Sequence, residues 1–259
     1  NSIFNGAFLT IVIAVILTTA CSLLCPQILH ILSVPEDIYQ NAYAYLIIIF
    51  LGMPFTLLYN YLSSVLRSVG DSKTPFLFLA ISVVLNIFLD AFCILVLKWG
   101  CAGAAIATIT SQAVSGILCL LFILHRLDFL CLKKENRHLR FAPIKELLSM
   151  GLPMGLQFSI TAIGSMVMQS ANNGLGSVCV SGFTAGMRIK QFTMCPFDAI
   201  GSAMATYTGQ NVGAGKIERI GQGLKASVLI GITYSILIFL VMLFSAKYWM
   251  LLFINASET

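Results

Sequence analysis

The feature that most constrains this chain is a series of long apolar stretches separated by short polar joints. A helix needs about 20 apolar residues to cross the ~30 Å hydrocarbon core of a bilayer. None of the stretches alternates apolar and polar residues as a membrane β-strand does. The sequence therefore predicts an all-α membrane protein, a bundle of about seven spans. These lie at residues 7–24, 43–66, 76–97, 102–124, 147–170, 178–205 and 224–245.

The composition excludes several other classes of protein. Hydrophobic residues make up 58% of the chain and charged residues 10%, whereas an average soluble domain has about 25% charged residues. This leaves too little polar surface for a soluble enzyme or a disordered protein. The eight cysteines are scattered and form no CxxC pair, so we interpret them as packing residues and not as a disulfide framework or a metal site.

Lysine and arginine residues are distributed unevenly among the polar joints. The second, fourth and sixth joints hold eleven of them, whereas the other side holds only Lys98 and Lys247. Because basic joints stay on the cytoplasmic side, we expect these three joints to face the cytoplasm. The long fourth joint predicts a partial amino-terminal lobe (1–126), a cytoplasmic linker (127–146) and a partial carboxyl-terminal lobe (147–259).

Asp90 lies about 22 Å along the helix of the third predicted span, at a depth where an ionisable group is costly and marks a functional site by default. Asn86 and Ser82 precede it at intervals of four residues, so the three side chains share one helix face. A carboxylate beside amide and hydroxyl oxygens suits Na⁺, and a desolvated carboxyl group can instead carry a proton. The alternative is a structural aspartate that hydrogen-bonds neighbouring helices.

Other predicted spans also contain polar residues. Arg188 and Lys190 lie on different faces of the sixth span, and Asp198 follows them as a candidate partner. These residues either line a cavity or, if the helix begins later, reach the membrane interface. Asn60 belongs to a polar belt that follows Pro54 in the second span. That belt faces a wet cavity or bonds to neighbouring helices.

No motif for enzymatic catalysis is present. The chain contains no HExxH, GxSxG or GxxxxGK[ST] string, and it has no continuous basic face with aromatic residues for nucleic acid. We therefore predict a protein that is not an enzyme, needs no cofactor and binds no nucleic acid. Any transport it performs must use an ion gradient or a partner's energy.

Two blocks of sequence resemble the MATE family, the multidrug and toxic compound extrusion transporters. The first block comprises residues 66–75 (LRSVGDSKTP), Asn86, Asp90 and residues 103–108 (GAAIAT). The second block comprises residues 151–153 (GLP), Pro196, residues 209–216 (GQNVGAGK) and Arg219. Together they cover essentially the whole chain.

This resemblance implies a transporter of twelve helices in two lobes of six, of which the chain holds about the third to the ninth. One branch of the family uses an asparagine and an aspartate four residues apart on the fifth helix, and Asn86 and Asp90 match that pair. The carboxylate that partners them, on the first helix, is not in this chain. Another branch uses a glutamate on the seventh helix, where this chain has Thr161, so the resemblance favours the amino-terminal site.

The resemblance implies an antiporter that exchanges Na⁺ or H⁺ for organic, often cationic, drug-like molecules by alternating access. We expect a monomer in the plasma membrane, surrounded by lipid bilayer. Asp90 and Asn86 are predicted to hold the coupling ion, as metal ligands if it is Na⁺. The predicted cavity-lining residues are Ser82, Asn60, Arg188, Lys190 and Asp198.

Two alternatives remain open at this point. A lipid-linked oligosaccharide flippase of the same superfamily would need a cavity rich in arginine and lysine, for which only Arg188 and Lys190 are available. A seven-helix receptor or an intramembrane enzyme would fit the helix count. The absence of a paired catalytic carboxylate argues against the enzyme.

Overall fold

The computed structural model describes residues 2–31, 34, 36–127, 139–173 and 177–251. Seven α-helices and one π-helical turn account for nearly all of these residues, and no β-strand occurs among them. The helices are α1 (Ser2–Ile31), α2 (Glu36–Ser68), α3 (Lys73–Ala91), α4 (Gly100–Arg126), α5 (Phe141–Asn173), α6 (Ser177–Gly213) and α7 (Glu218–Leu251). The π-helical turn, Phe92–Val96, directly follows α3. The all-α prediction is confirmed.

Six of the helices are long and apolar enough to cross a membrane. They expose many large apolar side chains, among them Phe88 on α3, Phe158 on α5 and Phe244 on α7. Soluble proteins rarely expose so much apolar surface, whereas a bilayer covers it with lipid. The chain is therefore a multi-pass membrane protein.

Helix α6 differs from the other predicted spans. It has 37 residues, yet it is not among the helices that are apolar enough to cross a membrane. Three charged residues, Arg188, Lys190 and Asp198, lie within it and lower its apolarity. The structure thus places a helix over the sixth predicted span, while its crossing of the membrane stays a prediction.

Two helices extend beyond the apolar stretches that predicted them. Helix α5 begins at Phe141, inside the predicted linker, and α6 continues to Gly213, through most of a predicted joint. Backbone hydrogen bonds define a helix whether or not its residues are apolar, so it can continue into polar sequence. Residues 128–138 of the predicted linker lie outside the described residues, and the lobe boundaries stay a prediction.

The chain divides into two compact units, Asn1–Met150 and Gly151–Thr259. In the first unit, α4 packs against both α2 and α3, and α1 packs against α2. The core of this unit lies between α2 and α4, where several side chains are buried. They are Tyr59, Leu62, Leu66, Cys119 and Ile123.

Small residues bring α2 and α4 close together. A Cβ atom added at Gly52 would lie 2.1 Å from Cγ2 of Ile109, and one added at Gly116 would lie 3.4 Å from the Phe55 carbonyl oxygen. Glycine is thus required at position 52 for the close approach of the two helices. Such contacts through small residues are common between membrane helices, because they let the backbones approach.

In the second unit, α6 packs against α7. The Tyr234 hydroxyl on α7 donates to the Thr193 carbonyl on α6 at 3.1 Å, and its ring lies edge-on to Phe197 with centroids 5.2 Å apart. The Tyr207 hydroxyl on α6 donates to the Arg219 carbonyl at 3.1 Å. Both tyrosine hydroxyl groups thus donate a hydrogen bond across the helix pair.

The joint between α2 and α3 is a tight turn. Gly70 has φ of 93°, a conformation that glycine adopts without steric cost. Asp71 follows and accepts a hydrogen bond from the Thr74 backbone N–H at 3.0 Å, which caps the start of α3. Hydrogen bonds from the side chain and the backbone of Thr74 hold the pKa of the Asp71 carboxyl below its ordinary value.

Candidate functional site

Two hydrogen bonds from buried hydroxyl groups position α3 in the first unit. Near its beginning, the Tyr59 hydroxyl on α2 donates to the Pro75 carbonyl at 3.1 Å. About two helical turns further on, the Ser82 hydroxyl donates to the Ser111 carbonyl on α4 at 2.6 Å. Over its whole length α3 packs mainly against α4 and contacts α2 far less.

Ser82 therefore has a packing role in the predicted polar stripe. Its side chain is only 3% exposed, and its hydroxyl already donates to α4. Within the stripe, the Ser82 hydroxyl is a donor that already has an acceptor. This bond fixes the level of α3 against α4 at Ser82.

Asn86 and Asp90 have fully buried polar atoms that no protein group satisfies. The Asn86 Nδ2 atom and the Asp90 Oδ1 atom have no hydrogen-bond partner. A buried donor or acceptor left in this state costs about 1–3 kcal/mol, and a charged group costs more. Native proteins rarely keep such atoms without a functional reason, so this pair is the strongest candidate site in the first unit.

A break in helix geometry follows directly after Asp90. The π-helical turn begins two residues later at Phe92, and the Leu97 N–H donates to the Phe92 carbonyl at 3.1 Å, five residues back. Turns of this kind often occur at functional sites. Lys98 and Gly100 then adopt positive φ values of 55° and 56°, which reverse the chain into α4.

The donor set of this site suits a proton or a hard cation. The Asp90 carboxylate supplies the negative charge, and Asn86 supplies an amide beside it on the same helix face. Oxygen ligands of this kind favour cations that prefer carboxylate and carbonyl groups. Within the described ranges, no cluster of three or more histidine, cysteine, aspartate or glutamate residues that could hold a metal ion is present.

The remaining predicted site residues lie elsewhere and are exposed. Asn60 on α2 is exposed, and its backbone carbonyl accepts a hydrogen bond from Ser64. Arg188, Lys190 and Asp198 are exposed on α6 in the second unit. Since α6 is one continuous helix, Asp198 is about 12 Å along its axis from Lys190 and further from Arg188. The part of the chain that the structure covers contains no ion pair between them.

The structure adds a polar residue and a cavity that the sequence interpretation did not identify. The Gln112 side chain on α4 has a fully buried Oε1 atom without a partner. Its signal in the sequence was a long polar side chain in the middle of a predicted span. Thr18 and Ser22 on α1 also have buried hydroxyl oxygens without a partner.

An apolar cavity of about 530 Å³ lies between α1, α2 and α4. Phe55 and Leu58 are among its lining residues, and two of its polar side chains, Thr10 and Tyr61, already donate to backbone carbonyls. The volume is within the range of about 300–1,000 Å³ for small-molecule sites. Sequence alone does not reveal it, because apolar residues that face lipid and those that face a cavity look alike.

Comparisons with known proteins identify a family for this architecture. The MatE family matches residues 1–92 and 153–259. The probable multidrug resistance protein YpnP of Bacillus subtilis is 38% identical over 194 residues, which are 74% of this chain and 43% of that protein. The probable multidrug resistance protein NorM of Thermotoga maritima is 30% identical over 247 residues, which are 92% of this chain and 53% of that protein.

The fold also matches solved structures. A multidrug resistance MATE family transporter of the MOP superfamily, in an outward-facing conformation, superposes with a TM-score of 0.88 at 21% sequence identity. The match covers 96% of this chain and 56% of that transporter. The chain thus spans about half the length of the curated relatives and solved structures that it matches.

Proposed function

The chain belongs to the MatE family, and we propose on that premise that it is the central part of a cation-coupled multidrug efflux transporter. Members of this family are transporters and not enzymes. The relatives that are named as multidrug resistance proteins are about twice as long as the matched region. We therefore assign to this chain a share of the transport cycle, with the rest contributed by helices beyond it.

The observation that carries this proposal is the buried Oδ1 atom of Asp90, which has no hydrogen-bond partner and lies on the same helix face as Asn86. A buried carboxylate oxygen without a partner is unfavourable, and either a proton or a bound Na⁺ relieves that cost. Occupancy of the site by the ion therefore changes the energy of the surrounding helices. Such a change is what allows an ion gradient to bias the two conformations of an alternating-access transporter.

The substrate class follows from the cavity and the family together. The cavity between α1, α2 and α4 is large enough for a drug-sized molecule and is lined mostly by apolar side chains. We propose small organic compounds, often cationic, as substrates. We further propose a monomer in the plasma membrane with its basic joints facing the cytoplasm, in line with the distribution of lysine and arginine.

The test is ethidium efflux from proteoliposomes that contain the complete protein to which we assign this chain. An inward Na⁺ or H⁺ gradient is imposed in separate experiments. Asp90→Asn keeps the size of the side chain and removes its charge, so we expect it to abolish the dependence of efflux on the driving gradient. Asp37→Asn is the matched control, because Asp37 is an exposed aspartate at the start of α2.

The gradient that drives wild-type efflux identifies the coupling ion. Efflux that depends on the gradient equally in wild type and Asp90→Asn would contradict the role of Asp90. If the wild-type protein shows no gradient-driven efflux while control liposomes retain ethidium, the transport function itself is contradicted.

A further inference from the structure

An open groove of about 540 Å³ lies between α6 and α7 in the second unit. Most of its lining residues are apolar, and they include Ile200, Met204, Ala226 and Ile230. Tyr207 and Gln222 also line it, close to the joint that contains Lys216. The groove therefore has an apolar body and a polar end.

The Tyr207 side chain fastens the start of α7 at the polar end of the groove. Its hydroxyl donates to the Arg219 carbonyl at 3.1 Å. Its ring fills the space beside Gly223, where an added Cβ would lie 2.3 Å from Cε1 of the ring. Only a residue without a side chain leaves room for the ring there. The Arg219 backbone is thus held in a defined position at the end of the groove.

Arg219 lies on the side of α7 that borders the groove. The α7 residues that line the groove are Gln222, Gly223, Ala226, Ser227 and Ile230. Successive residues of a helix turn by about 100°, so Arg219 falls within about 20° of the centre of this face. Glu218 and Lys225 are each more than about 100° away from that centre. Arg219 is therefore the charged residue of α7 that is in line with the groove.

The groove has the depth of one leaflet of a bilayer. Ile230 follows Arg219 by eleven residues, which is about 16 Å along the helix axis, and half of the ~30 Å hydrocarbon core is about 15 Å. Helix α7 is long and apolar enough to cross a membrane from Glu218 to Ser245. The groove thus occupies the first half of this span, and Arg219 lies at the level of the lipid headgroups.

We infer that this groove binds an anionic phospholipid, with an acyl chain along its apolar body and the phosphate at Arg219. Arginine binds phosphate through two parallel hydrogen bonds, and Lys216 in the adjoining joint adds a second positive charge. Basic pockets between helices on the cytoplasmic side bind acidic headgroups. The inference takes from the proposed function only the orientation that places this end of α7 at the cytoplasmic leaflet.

The experiment titrates the complete protein in detergent with phosphatidylglycerol, or with phosphatidylcholine of the same acyl chains, and measures the thermal unfolding midpoint. Wild type is expected to reach half-maximal stabilisation at a lower mole fraction of phosphatidylglycerol. Arg219→Gln is expected to raise that mole fraction about fivefold, the effect of one basic residue beside an anionic headgroup. This variant keeps the backbone carbonyl that binds Tyr207, so its fold is expected to persist.

Lys225→Gln is the matched control, because Lys225 is also an exposed basic residue of α7 but lies off the groove face. We expect it to leave the half-maximal mole fraction unchanged. Equal effects of Arg219→Gln and Lys225→Gln would mean that net charge alone attracts the lipid, which would overturn the inference.

A second pair of variants tests the place of the acyl chain. Ala226→Trp fills the groove and is expected to raise the half-maximal mole fraction, whereas Val228→Trp, on the opposite face of α7, is not. If Ala226→Trp lowers the midpoint equally with and without lipid, a helix of the complete protein fills the groove and the inference is wrong. Displacement of phosphatidylglycerol by glycerol 3-phosphate would show a phosphate site without an acyl chain, which also contradicts it.

The lipid titration does not depend on transport, so it separates this inference from the proposed function. If gradient-driven efflux is absent but Arg219→Gln and Lys225→Gln differ as expected, the lipid site stands and the proposed function fails. If wild type shows no preference for phosphatidylglycerol over phosphatidylcholine, the inference fails whatever the efflux experiment shows.

Discussion

Substitution of Gly52 by alanine is expected to force α2 away from α4. The new Cβ would lie 2.1 Å from Ile109 Cγ2 and 2.8 Å from Ile109 Cβ, whereas carbon atoms pack at about 3.5–4.0 Å. A change of the Ile109 rotamer moves Cγ2 but leaves Cβ in place. The backbones of the two helices must therefore separate by about 0.7 Å or more.

The expected cost can be worked out from these contacts. Overpacking of a buried contact costs about 1–3 kcal/mol, and this contact is at the upper end because the backbone must move. Alanine is about 1 kcal/mol more favourable than glycine inside a helix, which offsets part of this cost. The net loss of about 2 kcal/mol corresponds to a fall of about 4–8 °C in the unfolding midpoint.

Circular dichroism of the purified protein in detergent measures this midpoint. Gly155→Ala on α5 is the control, because a Cβ at that position meets no atom within 4 Å, so no loss is expected. Ile109→Ala removes the Cγ2 atom that clashes, so the double variant is expected to be more stable than the sum of the two single changes implies. Strictly additive losses, or an unchanged midpoint for Gly52→Ala, would refute the reasoning.

Two further predictions concern hydrogen bonds at the start and in the middle of α3. Asp71→Ala removes the cap at Thr74 and is expected to cost about 1 kcal/mol at neutral pH. The pKa of Asp71 is lowered in the folded protein. The stability that the cap contributes is therefore full above the ordinary pKa of aspartate and is lost as the pH falls through the lowered value. We expect the unfolding midpoints of wild type and Asp71→Ala to converge in acid, and a constant difference between them would contradict the cap. Ser82→Ala removes the donor to Ser111 and is expected to cost about 1 kcal/mol. The unfolding midpoint of this variant should be lower than that of the control Ser159→Ala, on the exposed face of α5. Equal midpoints for the two variants would contradict the role of the Ser82 bond.

The positions of the helices were predictable from apolarity alone, but their ends were not. Apolar stretches mark the part of a helix that lies in lipid, and α5 and α6 continue beyond it into polar residues. Their ends depend on local turns such as the one at Gly215, which has φ of 69°. A count of apolar residues contains no information about such turns.

The candidate site was predictable along one helix only. Spacing by four residues placed Ser82, Asn86 and Asp90 on one face of α3, and the structure keeps them there. The sequence does not show that the Ser82 hydroxyl bonds to Ser111 on α4, or that Asn86, Asp90 and Gln112 each have a buried polar atom without a partner. Contacts between two helices depend on how each helix is rotated about its own axis. The spacing of apolar residues along one helix does not determine the rotation of its partner.

The π-helical turn after Asp90 has a consequence for how this region tolerates changes in chain length. It contains one residue more than an α-helical turn that closes the same hydrogen-bonded loop, as the bond from Leu97 to Phe92 shows. Deletion of a single residue between Phe92 and Val96 can therefore be absorbed by conversion to regular α-helix. The segment between Ser82 and Asp90 is regular α-helix without an extra residue. Deletion of one residue there would rotate Asp90 by about 100° away from its neighbours.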